Sequence, residues 1–326
     1  MLAINGTGRI GLCTARLIGQ RSDAELVAIN STADIDTLVH LLRYDSVHGS
    51  SEVQKVDNQT ISIGNSKNVK VLSDRNPNNL DFSAYGATCV IECTGKFNSF
   101  DKAKAHLRDN IKKVVISAPA DNVDMYVYGV NHTSYKGEEI VSNASCTTNC
   151  LAPLVKVLHS TFGLESALMS TIHSYTNDQN VLDVKHKDIR RARAAALNMI
   201  PTSTGAAKAI GKIFPELNGK LNGVAIRVPT PDVSLVDLSA RLRNKVSVES
   251  INEAFLKAEQ NDMKGIIYND LEKRVSSDFI GSKYSSIFIP DKTIVIDEFS
   301  AKILAWYDNE VGYSTRLIDL SLYVSK

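Results

Sequence analysis

Net charge is nearly absent from this chain: 37 lysines and arginines stand against 36 aspartates and glutamates, which leaves +1. Such a balance projects no global field toward nucleic acid or an anionic membrane, and neither is expected as a partner. Basic residues do gather at Lys185, Lys187, Arg190, Arg191 and Arg193, and that short run reads as a solvated or phosphate-facing surface. Long apolar runs are missing as well. The opening Met1-Leu2-Ala3-Ile4 is too short for a secretory signal or a membrane span. Cysteines number only five, irregularly spaced. That odd, scattered set argues for free thiols in a reducing cytoplasm, and against a disulfide framework or a metal. No internal repeat, low-complexity tract or Pro/Gly/Ser linker interrupts the chain.

What is there suits a globular protein. The 326 residues exceed what one core usually fills, so two domains are expected. Composition is 43% hydrophobic and 22% charged, which excludes extensive disorder. Leu2-Ala3-Ile4 reads as a buried strand running into Asn5-Gly6-Thr7-Gly8-Arg9-Ile10-Gly11, followed by a helical pattern through Ile18 and a second strand at Leu26–Ile29. This is a βαβ unit. Further strand-like runs follow at Val69–Leu72, Thr88–Ile91 and Lys113–Ile116, as in a parallel sheet. After Cys146 the pattern changes. A helix is expected over Thr148–Ser160, then strands at Ser166–His173, Leu221–Arg227, Ser234–Leu242 and Thr293–Phe299. Helices are expected near Thr204–Ile213, Val248–Asn261 and Ser314–Val324, around a mixed or antiparallel sheet.

Gly6, Gly8 and Gly11 have dinucleotide-binding spacing. The first permits the turn, the second admits the pyrophosphate, and the third lets helix and strand pack closely. Arg9 reads either as a phosphate contact or as a surface cation. The usual acidic residue at the end of the second strand is absent, since that strand ends Ile29-Asn30-Ser31-Thr32 and Asp34 lies beyond it. Hydroxyls there can donate to a ribose 2′-phosphate that a carboxylate would repel. Cys146 lies just before the expected helix, whose dipole favours a thiolate and whose N–H groups can hold an oxyanion. His173 closes an apolar run and is a plausible base for it. Cys13, Cys89 and Cys93 sit in apolar stretches and read as core; Cys150, one turn after Cys146, reads as facing inward.

Seven motifs in order complete the pattern. Asn5–Gly11 resembles the N-G-F-G-R-I-G string of the phosphorylating glyceraldehyde-3-phosphate dehydrogenase family. Ser145-Cys-Thr-Thr-Asn-Cys-Leu-Ala-Pro153 resembles that family's active-site string. His173–Gln179, Arg190–Arg193, Pro201–Ala207, Arg227–Pro231 and Trp306–Tyr313 resemble its other motifs, so the likeness covers essentially the full chain. It implies an α/β chain with a Rossmann dinucleotide-binding domain at 1–145, completed by a C-terminal helix at 311–326. An α+β catalytic domain with a mixed or antiparallel sheet is implied at 146–310. It implies Cys146 as nucleophile and His173 as its activator. Gly6, Gly8, Arg9, Ile10, Gly11, Ser31, Thr94, Ser117, Lys185, Asn309 and Tyr313 are implied at the cofactor. Thr176, Asp178 and Arg227 resemble holders of the substrate phosphate. Ser145, Thr147, Arg190, Thr204 and Gly205 resemble holders of the attacking inorganic phosphate. Glyceraldehyde 3-phosphate and inorganic phosphate are the implied substrates, in glycolysis or gluconeogenesis, and the implied assembly is a homotetramer.

Two departures bear on the cofactor, which is NADP, NAD or both. NAD-specific members carry Asp where Ser31 stands and Pro at the place of Lys185, so one negative charge is lost and one positive charge gained. Both changes favour acceptance of NADP. Thr7 replaces the usual Phe. Erythrose-4-phosphate dehydrogenase and other cysteine-dependent semialdehyde dehydrogenases remain alternative readings, as does a catalytically silent binding protein.

Overall fold

A computed structural model describes residues 1–326. The chain divides into two compact units, Met1–Ser145 with Ser314–Lys326, and Cys146–Tyr313.

The first unit is built on β1 (Leu2–Asn5), β2 (Leu26–Asn30), β3 (Tyr44–Asp45), β4 (Gly49–Ser50), β5 (Val53–Lys55), β6 (Thr60–Ile63), β7 (Ser66–Leu72), β8 (Cys89–Glu92), β9 (Lys113–Ile116), β10 (Asp124–Met125) and β11 (Ile140–Ser142). Nine of these form one sheet in the order β10-β11-β9-β8-β1-β2-β7-β6-β5, while β3 and β4 make a separate hairpin. From β10 to β7 neighbours run parallel; β7-β6 and β6-β5 are antiparallel. Every residue of β1, β2 and β8 is buried, as expected of parallel strands covered on both faces. The helices of this unit are α1 (Arg9–Gly19), α2 (Ile35–Arg43), α3 (Phe100–Ala103) and, from Ser314 onward, the C-terminal helix (Val311–Val324). Chain order reverses at β1, which has β2 on one side and β8 on the other. In open α/β sheets, ligands bind outside the carboxyl ends of the strands at that switch point.

The second unit begins with α4 (Cys146–Phe162) and holds β12 (Leu164–Ser174), β13 (Ile200–Ser203), α5 (Ala206–Ile213), β14 (Leu221–Val228), β15 (Ser234–Leu242) and α6 (Val248–Gln260). Next come β16 (Ile267–Asn269), β17 (Ser286–Phe288), β18 (Ile294–Ile296), β19 (Ser300–Tyr307) and the start of α7 (Val311–Val324). Its sheet runs β13-β14-β12-β15-β19-β17-β16, with β18 also on β19. It is mixed: β12 and β14 are parallel, while β15 is antiparallel to both β12 and β19.

Two expectations need correction. The helix placed after Thr148 starts at Cys146 itself, because buried Thr147 and Asn149 are packed into place despite their weak intrinsic preference for helix. The strand placed at Thr293–Phe299 ends at Ile296. The long strand β19 follows it, and its alternating buried Ala301, Ile303, Ala305 and Tyr307 are a two-residue period readable in the sequence. Asp34 lies beyond the second strand, as expected, and caps α2, accepting from Thr37 N at 2.9 Å and from the Thr37 hydroxyl at 2.7 Å.

Candidate active site

In the first unit the glycine turn closes on itself. Gly6 has φ +100°, a region that favours glycine. A Cβ on Gly11 would lie 2.0 Å from the Gly6 carbonyl oxygen, and one on Gly6 would lie 2.9 Å from Thr94 N. A Cβ on Gly8, by contrast, meets nothing within 4 Å, so space opens over the turn. Gly8 precedes α1 without a side-chain cap, and no carboxylate stands in the first turn. These features fit a pyrophosphate held by first-turn N–H groups.

The strand ends beneath are tied by buried polar groups. Asn5, Asn30 and Glu92 are brought level by strand register. Asn5 Nδ2 donates to Glu92 Oε2 at 2.6 Å, and Asn30 Nδ2 donates to Asn5 Oδ1 at 2.8 Å. Thr94 lies just past β8, with both its N–H and its hydroxyl on Glu92. Ser117 lies just past β9, its N–H on the Glu92 carbonyl at 3.0 Å. Ile10 is half-buried in the first turn of α1. Two expected cofactor residues are otherwise engaged. Arg9 is paired through both guanidinium nitrogens with Asp45, which corrects its reading as an available phosphate contact. A carboxylate matches the planar guanidinium fork with two parallel bonds. Ser31 is only 1% exposed, and its hydroxyl lies 2.7 Å from that of Thr7. It is therefore covered, against the expectation that it faces the ribose directly.

In the second unit Cys146 opens α4, and its Sγ lies 3.5 Å from His173 Nε2. The parallel ladder of β12 and β14 pairs His173 with Arg227. Arg227 Nη1 lies 2.7 Å from His173 Nδ1 and donates to the Ser174 carbonyl at 3.0 Å. That carbonyl also lies 2.8 Å from His173 Nδ1. A carbonyl can only accept, so it directs the neutral imidazole's proton to Nδ1 and leaves the Nε2 lone pair facing the thiol. Arg227 favours the opposite tautomer, with the proton on Nε2. The imidazole is thus poised between the two states that a proton relay needs.

Electrostatics follow from this geometry. Burial first, and the Arg227 charge second, hold His173 down to about 3. Burial pushes the Cys146 thiol up, opposed by Arg227, the Thr147 hydroxyl and backbone N–H groups. Burial thus opposes the ionisation that the helix start favours. Arg227 is mostly buried, and its Nε has no hydrogen-bond partner. A buried cation left without a carboxylate calls for an anion.

Tyr307, on β19, completes the surroundings. Its hydroxyl is shared by Thr147 at 2.9 Å and Thr171 at 2.8 Å, and its ring stands edge-on to His173 at 6.0 Å. Thr147 therefore has its hydroxyl on Tyr307. Tyr307 and Thr171 were not singled out from the sequence, although the alternation of β19 points Tyr307 inward.

The anion-binding candidates divide. Thr204 accepts from Ala206 N at 3.2 Å, and Gly205 stands at the start of α5 with open space where a Cβ would be. Thr176 N donates to Gln179 at 3.0 Å. Asp178 is paired with Arg191, whose Nε donates to Thr202 at 2.9 Å. Arg191, not Arg190, is the arginine whose charge acts on both His173 and Arg227. Arg190 is exposed, which corrects the choice made between adjacent arginines: neighbours in a turn point differently, and sequence does not say which faces in. Lys185 is exposed on the irregular segment 175–199. Ser145, the residue before Cys146, is half-buried.

Asn309 sits in a fixed setting. Its Oδ1 accepts from Ser174 at 2.8 Å and from Ser234 at 2.7 Å, which fills both lone pairs and turns Nδ2 the other way. Ser234 is carried there by Val233, a β-branched residue at φ +63°. Asp308 fixes the following turn, accepting from Glu310 N and Val311 N at 2.9 and 2.7 Å. Tyr313 is buried in the first turn of α7. Neither serine was anticipated from sequence.

Comparison with known proteins gives matches along the whole chain. The family model for the glyceraldehyde 3-phosphate dehydrogenase NAD binding domain matches residues 1–100, and that for the C-terminal domain matches 145–309. Among similar proteins, glyceraldehyde-3-phosphate dehydrogenase 1 of Bacillus cereus is 50% identical over 99% of this chain and 98% of its own length. Glyceraldehyde-3-phosphate dehydrogenase of Geobacillus stearothermophilus is 49% identical over the same shares. The cytosolic glyceraldehyde-3-phosphate dehydrogenase of Mesembryanthemum crystallinum is 48% identical over all of this chain and 98% of its own. With such identity sustained from end to end, the chain belongs to the glyceraldehyde-3-phosphate dehydrogenase family.

Proposed function

We propose that this chain catalyses the reversible, phosphorylating oxidation of glyceraldehyde 3-phosphate to 1,3-bisphosphoglycerate. The observation that carries this reading is the partly buried Arg227, with an unpartnered Nε and no ion pair of its own, set against a Cys146–His173 pair. An aldehyde has no leaving group, so a nucleophile must first make it tetrahedral. Cys146 adds to the carbonyl carbon as its proton passes to His173, which returns it to the carbonyl oxygen and so forms a thiohemiacetal. Backbone N–H groups at the start of α4 are placed to stabilise the developing oxyanion. A bound nicotinamide dinucleotide supplies the hydride acceptor. His173 takes the hydroxyl proton as the C–S species becomes a thioester. Phosphate oxygen then attacks the acyl carbon, the C–S bond breaks, and Cys146 leaves as thiolate. Arg227 with Thr176 suits the substrate phosphate; Arg191, Thr204 and the α5 start at Gly205 suit inorganic phosphate.

The dinucleotide is held in the first unit by the Gly6–Gly11 turn; in the second unit, Asn309 Nδ2 suits a carboxamide acceptor such as that of nicotinamide. NADP is accepted at least as well as NAD, on the charge balance at Ser31 and Lys185. The assay is turnover of glyceraldehyde 3-phosphate with and without phosphate, comparing NAD with NADP. Phosphate-dependent reduction is expected; phosphate-independent turnover would overturn phosphorolysis. Ser31→Asp with Lys185→Pro is expected to shift the kcat/KM ratio toward NAD by ~10-fold or more, on the cost of setting a carboxylate against a 2′-phosphate. An unchanged ratio would sink that pair as the determinant.

The assembly is a homotetramer of the cytoplasm. The second-unit sheet leaves Leu168, Val224, Ile294 and Ile296 exposed, and segment 175–199 exposes Val181, Leu182, Val184, Ile189, Leu197 and Met199. Apolar surface of that extent suits contact with other copies. All five cysteines are free, which suits a reducing compartment, and no helix is long and apolar enough to cross a membrane. Sedimentation at four chain masses is expected; a monomer at micromolar concentration would refute the assembly.

A further inference from the structure

The one residue of the glycine turn without an evident task is Thr7. It stands between Gly6 and Gly8, half-buried, where β1 ends and α1 is about to begin. Its only hydrogen bond is to Ser31, Oγ1 to Oγ at 2.7 Å. Ser31 directly follows β2 and is buried, its backbone N–H on the Leu72 carbonyl at 2.9 Å and its hydroxyl accepting from Ala33 N at 3.1 Å.

The direction of the shared bond follows from counting protons. A hydroxyl has one proton and two lone pairs. Ser31 already accepts from Ala33, and within the buried pocket its proton has one acceptor in reach, the Thr7 oxygen. The reverse pattern, with Thr7 donating, strands a buried proton at Ser31. Ala33 N–H therefore donates to Ser31, and Ser31 donates to Thr7. The Thr7 proton is left over at the surface of the turn. Each bond in such a chain polarises the next, so this proton is a better donor than that of an isolated threonine.

We infer that Thr7 is a specificity-determining residue for the dinucleotide: its hydroxyl donates to the substituent at the 2′ position of the adenosine ribose and favours a phosphate there. Ser31 is the positioning residue behind it. The inference rests on the reading that this turn holds a dinucleotide and that NADP is accepted. Hydrogen bonds to an ionised acceptor are roughly twice as strong as those between neutral groups, so the leftover proton distinguishes a 2′-phosphate from a 2′-hydroxyl. It also explains how a covered Ser31 can influence cofactor choice: it acts through Thr7.

The test is calorimetric binding of NADP and of NAD to the full chain, without substrate. Thr7→Val keeps the shape and removes the donor. It is expected to weaken NADP about tenfold and leave NAD within about twofold, the NAD value doubling as the check on folding. Thr7→Ser is expected to retain the wild-type ratio. Ser31→Ala, which removes the polarising partner alone, is expected to weaken NADP about threefold. Equal weakening of both dinucleotides by Thr7→Val, or of neither, overturns the inference. If Ser31→Asp still lowers NADP affinity in that case, the NADP reading survives and only Thr7 falls. If wild-type chain binds NADP at least tenfold more weakly than NAD, both fall together.

Discussion

Cys146→Ala is expected to lower turnover of glyceraldehyde 3-phosphate by at least ~10⁴-fold while leaving dinucleotide affinity within about twofold. The size of the effect comes from the chemistry. Without the thiol the aldehyde cannot become tetrahedral, and no other nucleophile stands at His173 Nε2, where Sγ lies at 3.5 Å. Cys150 cannot substitute: it is fully buried one turn further along α4, and burial pushes its thiol well above the usual range. A second readout separates loss of chemistry from loss of fold. Wild-type chain mixed with aldehyde and dinucleotide, but no phosphate, should accumulate an acyl adduct on the peptide containing Cys146. Adding phosphate should release it. Turnover of the alanine variant within ~10-fold of wild type would remove Cys146 from the role.

His173→Gln is expected to lower kcat by ~10²–10⁴-fold, the usual range for a lost general base, with the aldehyde KM changed only a few-fold. A glutamine keeps a polar group in the place but cannot take a proton at neutral pH. The pH behaviour has a definite sign. In the ligand-free chain burial and Arg227 hold His173 down to about 3, below the ordinary value near 6.5. The native state then binds fewer protons than the unfolded state from about pH 3 to about pH 6.5. This group's contribution to stability is complete above about pH 6.5 and is lost as pH falls toward about 3. The imidazole is consequently a neutral base throughout the working range. Its carbon-bound proton should show no titration between pH ~5 and ~8 in nuclear magnetic resonance spectra of the ligand-free chain. A midpoint near 6.5 would contradict the burial and Arg227 arguments together. An anion on Arg227 offsets the guanidinium charge, so bound phosphate is expected to raise the midpoint.

Much of this molecule is legible as near-neighbour chemistry. The Gly6–Gly11 turn can be read because each glycine answers a local demand, a positive φ or the close approach of Gly11 to the Gly6 carbonyl. The apolar runs that open β1, β2 and β8 can be read because parallel strands are buried on both faces. The Cys146 string and His173 can be read as nucleophile and base from residue type and from the elements that carry them. β19 was legible by its alternation and was passed over. The start of α4 was not, since Thr147 and Asn149 are helical through burial and not through propensity.

What the sequence determined, then, is the two-part α/β organisation, the glycine turn and the identities of Cys146 and His173, all of which depend on residues adjacent along the chain. Tertiary structure alone settled which groups face one another. Arg227 stands at His173 because β12 and β14 pair in one parallel register, and a shift of one residue would have sent it to the other face of the sheet. Arg191 rather than Arg190 turns inward to Asp178, Ser174 and Ser234 converge on Asn309 from separate strands, and Thr7 covers Ser31 across the switch point. These are long-range relations. Their partners lie tens of residues apart, and side-chain direction at each is set by packing, for which no local pattern in the sequence is a substitute.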